Sequence, residues 1–117
     1  MDTETMSRLT AALDELQVAI AENEARNRAI LIRIEFVRSE LEGGARLADL
    51  VSQKSGDGLV ELIAGNVETL HTTGAMFRVI HAQSLRAEGL SIAEIAEHYG
   101  LTRQRVSALL KQEGASD

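Results

Sequence analysis

Cysteine and proline are absent from the chain, and aromatic residues make up only 3% of it. Without cysteine there is no disulfide framework and no thiolate site, which fits a reducing cytoplasm. Without proline the strongest helix breaker is missing, and Ala, Leu, Ile, Val, Glu and Arg dominate, so the composition favours helices throughout. With so few rings the core has to be aliphatic, and hydrophobic residues, at 44%, suffice to build one. No apolar run approaches the roughly 18 residues of a membrane span. The opening stretch MDTETMSRLT is acidic and polar where a secretion signal would be basic and then apolar. A cytoplasmic protein without a membrane segment is the expectation. The 117 residues amount to one domain, or one domain plus an extension.

The net charge of −6 argues against a protein that coats nucleic acid without regard to sequence. The charge is unevenly spread. Residues 1–44 carry 5 basic and 9 acidic side chains, whereas residues 75–117 carry 5 of each. The acidity belongs mainly to the first part of the chain.

That first part has a regular pattern. Met6, Leu9, Leu13, Leu16, Ile20, Asn23, Asn27, Ile30, Ile34, Val37 and Leu41 follow one another in alternating steps of three and four. This is a heptad repeat, with Met6, Leu13, Ile20, Asn27, Ile34 and Leu41 at a and the others at d. It predicts a long helix over 3–42 that dimerises as a coiled coil. Asn23 and Asn27 are the polar members of the seam, and an Asn at an a position can set register and a two-stranded state at a cost in stability. One long helix packing on its own domain is the alternative. A second stripe, Ala25, Ala29, Ile32 and Phe36, lies off the seam, so the 32–41 end is expected to touch both a partner and its own chain. Arg33 at g facing Arg38 at e mildly disfavours a parallel pair, and strand orientation stays open.

Gly43 and Gly44 end this helix. A short amphipathic piece follows over 45–53, with Leu47, Leu50 and Val51 on one face, and then a turn by composition at 54–58. Leu59, Leu62, Ile63, Val67 and Leu70 predict a helix to about residue 72. Gly74 is expected to break or bend the chain before a further helix over 75–88, with Phe77, Ile80 and Leu85 in its core. Residues 43–74 thus read as connecting helices.

The last segment, SIAEIAEHYGLTRQRVSALL, carries the densest signals. Gly89 ends the preceding helix. Ser91 can cap the next one, with Glu94 at capping-box distance. That helix, 92–98, buries Ile92, Ile95 and Ala96. Gly100 supplies the positive φ of a sharp reversal, and Thr102 can cap a final helix over 103–112 that buries Val106, Leu109 and Leu110. Ala96 is small where two helices must approach.

With glycine, small residue and apolar positions Ile95, Leu101, Val106 and Leu109 all in place, the stretch resembles the helix-turn-helix of bacterial DNA-binding regulators. It is also similar to the end of sigma-factor region 4 and to the three-helical domains of recombinases. The resemblance covers 75–112, and the first 74 residues carry none. It implies an all-α fold in which the second helix enters the major groove of double-stranded DNA. The exposed positions of that helix are Thr102, Arg103, Gln104, Ser107 and Lys111, with Ala108 beside them. Arg reads guanine, Gln reads adenine, and an alanine methyl can meet a thymine methyl. Arg105 and Ser91 are placed for phosphates. No acidic residue lies between Glu97 and Glu113. A three-helix module of the same shape that binds only protein is the competing reading.

No nucleotide-binding glycine loop, nucleophile elbow or Ser/His/Asp grouping is present. His71, His81 and His98 lack metal-ligand spacing. The expectation is therefore a non-enzyme with no cofactor and no metal. In sum, an all-α chain is expected: a coiled-coil dimerisation helix over 3–42, connecting helices over 43–74 and a helix-turn-helix domain over 75–117. The function expected is that of a dimeric bacterial transcriptional regulator at the nucleoid. Two alternatives remain, an adaptor docking RNA polymerase or another regulator, and a DNA-bridging nucleoid protein.

Overall fold

The computed structural model describes residues 1–52 and 58–112. Every regular element among them is helical: α1 (Thr3–Glu42), α2 (Leu47–Ser52), α3 (Leu59–Ala87), α4 (Ile92–Tyr99) and α5 (Arg103–Lys111). The all-α expectation therefore holds, and the long N-terminal helix runs over the predicted range, 3–42. No helix among the described residues is long and apolar enough to cross a membrane. The expected turn at 54–58 and the expected end of the short helix at Gln53 lie, Gly58 apart, outside the described residues.

The chain divides into two compact units, residues 1–18 with 72–117 and residues 19–71. The helices α1 and α3 contribute to both.

In the unit of residues 19–71, α1 and α3 run side by side in opposite directions, joined by polar contacts. Asn23 donates through Nδ2 to the carbonyl of Asn66 (3.3 Å), and Asn66 donates to Asn27 Oδ1 (2.6 Å). The Arg26 guanidinium donates to Asn23 Oδ1 and to Thr69 Oγ1. A Cβ on Gly65 would fall 2.9 Å from Arg26 Nε, so the bare backbone there is what lets the arginine lie across α3. Buried polar groups carry their full desolvation cost unless partnered, so this ladder holds the two helices in one register.

The heptad seam is split by this arrangement. Among its d positions, Asn23 and Val37 are buried, and Leu9, Leu16 and Ile30 are half-buried. In the 19–71 unit this is the side that carries the contacts to α3. Among the a positions, Ile34 is half-buried and Met6, Leu13, Ile20, Asn27 and Leu41 are exposed. The stripe buried within the chain is thus d with g, where the small Ala12 and Ala19 sit (4% and 3% exposed). Of the off-seam stripe, Ala29 is half-buried, while Ile32 and Phe36 are exposed and the Arg33 guanidinium stands 5.1 Å from the Phe36 ring centroid. In α2 only Leu50 is buried, and Leu47 and Val51 face solvent.

The expected break at Gly74 is absent: α3 continues from Leu59 to Ala87. One interior glycine costs a helix about 1 kcal/mol, which is small against the burial of Val79, Ile80 and Ala82 on the turns that follow. In the unit of residues 1–18 and 72–117, Arg8 on α1 donates to Gln83 Oε1 on α3 (3.1 Å). The core of this unit gathers Ala82, Ile95, Ala96 and Val106, with Leu85, Leu90, Ile92, Tyr99, Leu101 and Leu110 packed around them. It is aliphatic apart from one tyrosine, as the composition requires.

The two interior glycines of α3 make opposite predictions. A Cβ at Gly74 meets nothing within 4 Å, so Gly74→Ala is expected to raise stability by about 1 kcal/mol in chemical denaturation. The same substitution at Gly65 displaces Arg26, and the lost hydrogen bonds, each worth about 1 kcal/mol, offset the helix gain. Gly65→Ala should stabilise the chain only in an Arg26→Ala background, measured against Arg26→Ala alone.

Candidate nucleic-acid interface

The helices α4 and α5 form a short module seated on the end of α3. Each of its boundaries is set by an identifiable residue. The chain leaves α3 at Gly89, whose φ is +105°, with the Leu90 N–H donating to the Leu85 carbonyl (3.1 Å). Ser91 then starts α4. Its Oγ accepts from the Glu94 N–H (3.1 Å), and its own N–H donates to Glu94 Oε1 (2.9 Å), closing a capping box. At the other end Gly100 has φ +65°, and the Leu101 N–H reaches the Ala96 carbonyl (3.0 Å) while the Gly100 N–H donates to that of Glu97 (3.3 Å). That pair of bonds is a Schellman motif, which turns the chain without leaving carbonyls unpaired. Two residues later Thr102 Oγ1 accepts from the Arg105 N–H (3.1 Å) and starts α5.

Packing fixes the angle between the two helices. Val106 and Ile95 are fully buried, and Ala96 is 6% exposed against them. A larger side chain at Ala96 would hold α5 away from α4. Leu109 and Leu110 are half-buried rather than buried, as are Ile92 and Leu101. On the outer side of α5, Thr102, Arg103, Gln104, Arg105, Ala108 and Lys111 are exposed, and Ser107 is half-buried. Ser91 is half-buried at the start of α4. Six of the seven residues read from the sequence as DNA contacts, Thr102, Arg103, Gln104, Arg105, Ser107 and Lys111, thus share one helix and its cap. Ser91 stands apart from them.

Among the described residues no ion pair or side-chain hydrogen bond engages Arg103, Gln104, Arg105 or Lys111. Their charges and donors are uncommitted. The outer side of α4 differs. Glu94, Glu97 and His98 line a surface hollow of about 440 Å³, and two of these three are acids. The carboxylate of Glu94 already takes the Ser91 N–H that a phosphate at this helix start would use. Within the module, positive charge is therefore confined to α5.

Several supports of the site carry no sequence signal. Gln83 donates through Nε2 to the Gln112 carbonyl (2.7 Å), holding the last turn of α5, and receives the Arg8 guanidinium on its Oε1. The Tyr99 hydroxyl shares a hydrogen bond with His81 Nδ1, and the His81 ring also lies against Phe77 (centroids 5.5 Å apart). Burial pushes the Tyr99 phenol above its ordinary value, with Arg78 acting weakly in the opposite sense. Gly74, Phe77, Arg78, His81 and Tyr99 border a shallow cavity of about 330 Å³. Tyr99 packs at the turn, and its ring is not among the outward residues of α5.

The capping box titrates. Two hydrogen bonds from Ser91, the backbone one the larger, hold the Glu94 carboxyl below its ordinary value of 4.5. The folded chain thus binds this proton less readily than the unfolded chain. The cap's contribution is fully present above about pH 4.5 and is lost as the pH falls through the lowered value. Glu94→Gln, which keeps a side-chain acceptor but not the charge, is expected to lower the melting temperature slightly near pH 7. It should also flatten its fall below pH 4.5, as followed by circular dichroism across pH.

Compared with known proteins, the chain matches no family model, no curated protein and no solved structure.

Proposed function

We propose that the protein binds double-stranded DNA with sequence preference, as a dimer that lays α5 of each copy in the major groove, and that it acts as a transcriptional regulator of bacterial type at the nucleoid. The observation that carries this reading is the outer side of α5. It presents Arg103, Gln104, Arg105 and Lys111 without partners among the described residues, in a chain whose net charge is −6. A helix held this way fits a groove about 12 Å wide. Arg103 and Gln104, on its first turn, have the donor patterns that guanine and adenine edges accept, Ser107 is short and adaptable, and the Ala108 methyl suits thymine. Arg105 and Lys111 suit phosphates, as does the Thr102 hydroxyl, which still has its hydrogen to donate after accepting from Arg105.

One such helix makes few phosphate contacts and binds weakly. Two copies on one DNA face, about 34 Å apart, gain by linkage what each lacks.

A second reading draws on a specific observation. Val60, Ile63, Val67 and Leu70 of α3 are exposed, at 72%, 51%, 64% and 43%. Apolar surface of this kind suits an interaction protein docked on RNA polymerase or another regulator.

The two readings part on α5. Selection of random duplexes with the full chain at about 0.15 M salt, near physiological ionic strength, is expected to return a motif with two related half-sites. Arg103→Ala should then cost about 1–3 kcal/mol on that motif and relax preference at one base pair. Arg105→Ala should weaken all sequences alike and lower the salt slope by about 0.9. Recovery of no motif, with Arg103→Ala silent in a functional assay, would transfer the function to the protein-docking reading.

A further inference from the structure

In the unit of residues 19–71 each long helix carries two adjacent heptad stripes. On α1 the d and g positions Asn23, Arg26, Ile30 and Val37 make one, on the side that meets α3. Ile20, Asn27, Leu31 and Ile34 make the next, around the a positions. On α3, Leu59, Leu62, Asn66 and Thr69 are half-buried on one side, and Val60, Ile63, Val67 and Leu70 form the neighbouring stripe. The second stripes lie on the same side of the hairpin, because Ile20 and Asn27 of α1 and Val67 and Leu70 of α3 line a single groove of about 320 Å³, together with Asn23, Glu24 and Asn66.

A helix with one neighbour buries one stripe. A helix with two adjacent stripes is built for two neighbours, as every helix of a four-helix bundle is. Among the described residues of this unit, α1 and α3 are each the one long neighbour that the other has. We propose that the second pair of helices is the same hairpin of another copy, so that two chains associate as a four-helix bundle through Ile20, Leu31, Ile34, Val60, Ile63, Val67 and Leu70.

The size of the surface supports a second copy. Ile20, Leu31, Val60, Ile63, Val67 and Leu70 are 44%, 65%, 72%, 51%, 64% and 43% exposed, which puts the patch on the order of 600 Å², at the upper end for the largest apolar patch of a monomer and somewhat below the roughly 800 Å² per partner of a stable interface. The centre of the patch is polar in a useful way. Asn27 is exposed and accepts a hydrogen bond from the half-buried Asn66. A second copy brings an identical Asn pair into the groove. This would set the register of the bundle as an Asn at an a position does in a coiled coil.

This inference deepens the proposed function, resting on its self-association and not on DNA contact. It replaces a two-stranded coiled coil along α1 as the mode of pairing. The d positions that such a coil would need are turned toward α3 in this unit.

The test is sedimentation equilibrium of the full chain from about 1 to 100 µM, a range that brackets micromolar association. The wild type is expected to be dimeric. Val67→Asp and Ile63→Asp each place a carboxylate in the bundle core and should weaken the dimer at least about 100-fold. Helical content should persist, because both side chains are more than half exposed within the chain. A coiled coil through α1 predicts no effect from either α3 substitution. The cysteine-free chain permits a second readout. Val67→Cys should be joined to its partner by a bismaleimide spanning roughly 10 Å, the spacing of packed helices, while Glu22→Cys on the far side should not. A monomeric wild type, a dimer indifferent to both aspartates, or equal cross-linking at the two cysteines would each overturn the proposal. A monomeric wild type would assign the patch to a different protein. None of these outcomes bears on α5, whose role is read separately by Arg103→Ala on DNA.

Discussion

The close approach of α5 to α4 at Ala96 is the contact on which the candidate interface depends. Val106 and Ile95 are fully enclosed there, with Ala82 beneath them. Four small or branched aliphatic residues set the angle at which α5 stands out from the module. The chain around them has almost no latitude, since the turn between the helices is closed by hydrogen bonds to the carbonyls of Ala96 and Glu97. A core of this kind tolerates little change of volume, because protein interiors are packed as densely as organic crystals. The direction of the basic helix is therefore a property of the core, not of the loop.

Local signals were legible where the physics is local. Ser91, Gly100 and Thr102 could be assigned from the sequence because a cap or a left-handed turn involves residues only two to five apart, and the structure places each in that role. The heptads likewise announced a long helix. What they could not announce was the neighbour. A period of three and four says that a side is covered, and the same period serves a partner chain or the chain's own α3. The d positions proved to face α3 within the 19–71 unit because the polar ladder of Asn23, Arg26, Asn66 and Thr69 is made there. Nothing in sequence spacing pairs residues some forty positions apart.

Gly74 illustrates the opposite error. Glycine lowers helix propensity, but propensity is a weak preference beside burial, and α3 stays helical through it. The candidate site was legible in a similar proportion. The outward residues of α5 follow from helical periodicity once Val106 is known to be inside. The supports from Gln83, His81 and Arg8 were invisible, since a lone Gln, His or Arg has no spacing to interpret. The capping box also had a consequence that its spacing alone hides: Glu94 occupies the N–H at the start of α4 and makes that end acidic.

The way α5 is fastened has an implication for how such a protein diversifies. Its end is gripped at a main-chain carbonyl by Gln83, its beginning by the Thr102 hydroxyl on a backbone N–H, and its inner side by Val106. Apart from Thr102, the outward side chains have no part in this anchoring. Arg103, Gln104, Ser107, Ala108 and Lys111 can be exchanged as a set while the scaffold stays intact. The helix is in effect an interchangeable cartridge, so drift or deliberate redesign could change the surface it presents without a compensating change elsewhere in the chain.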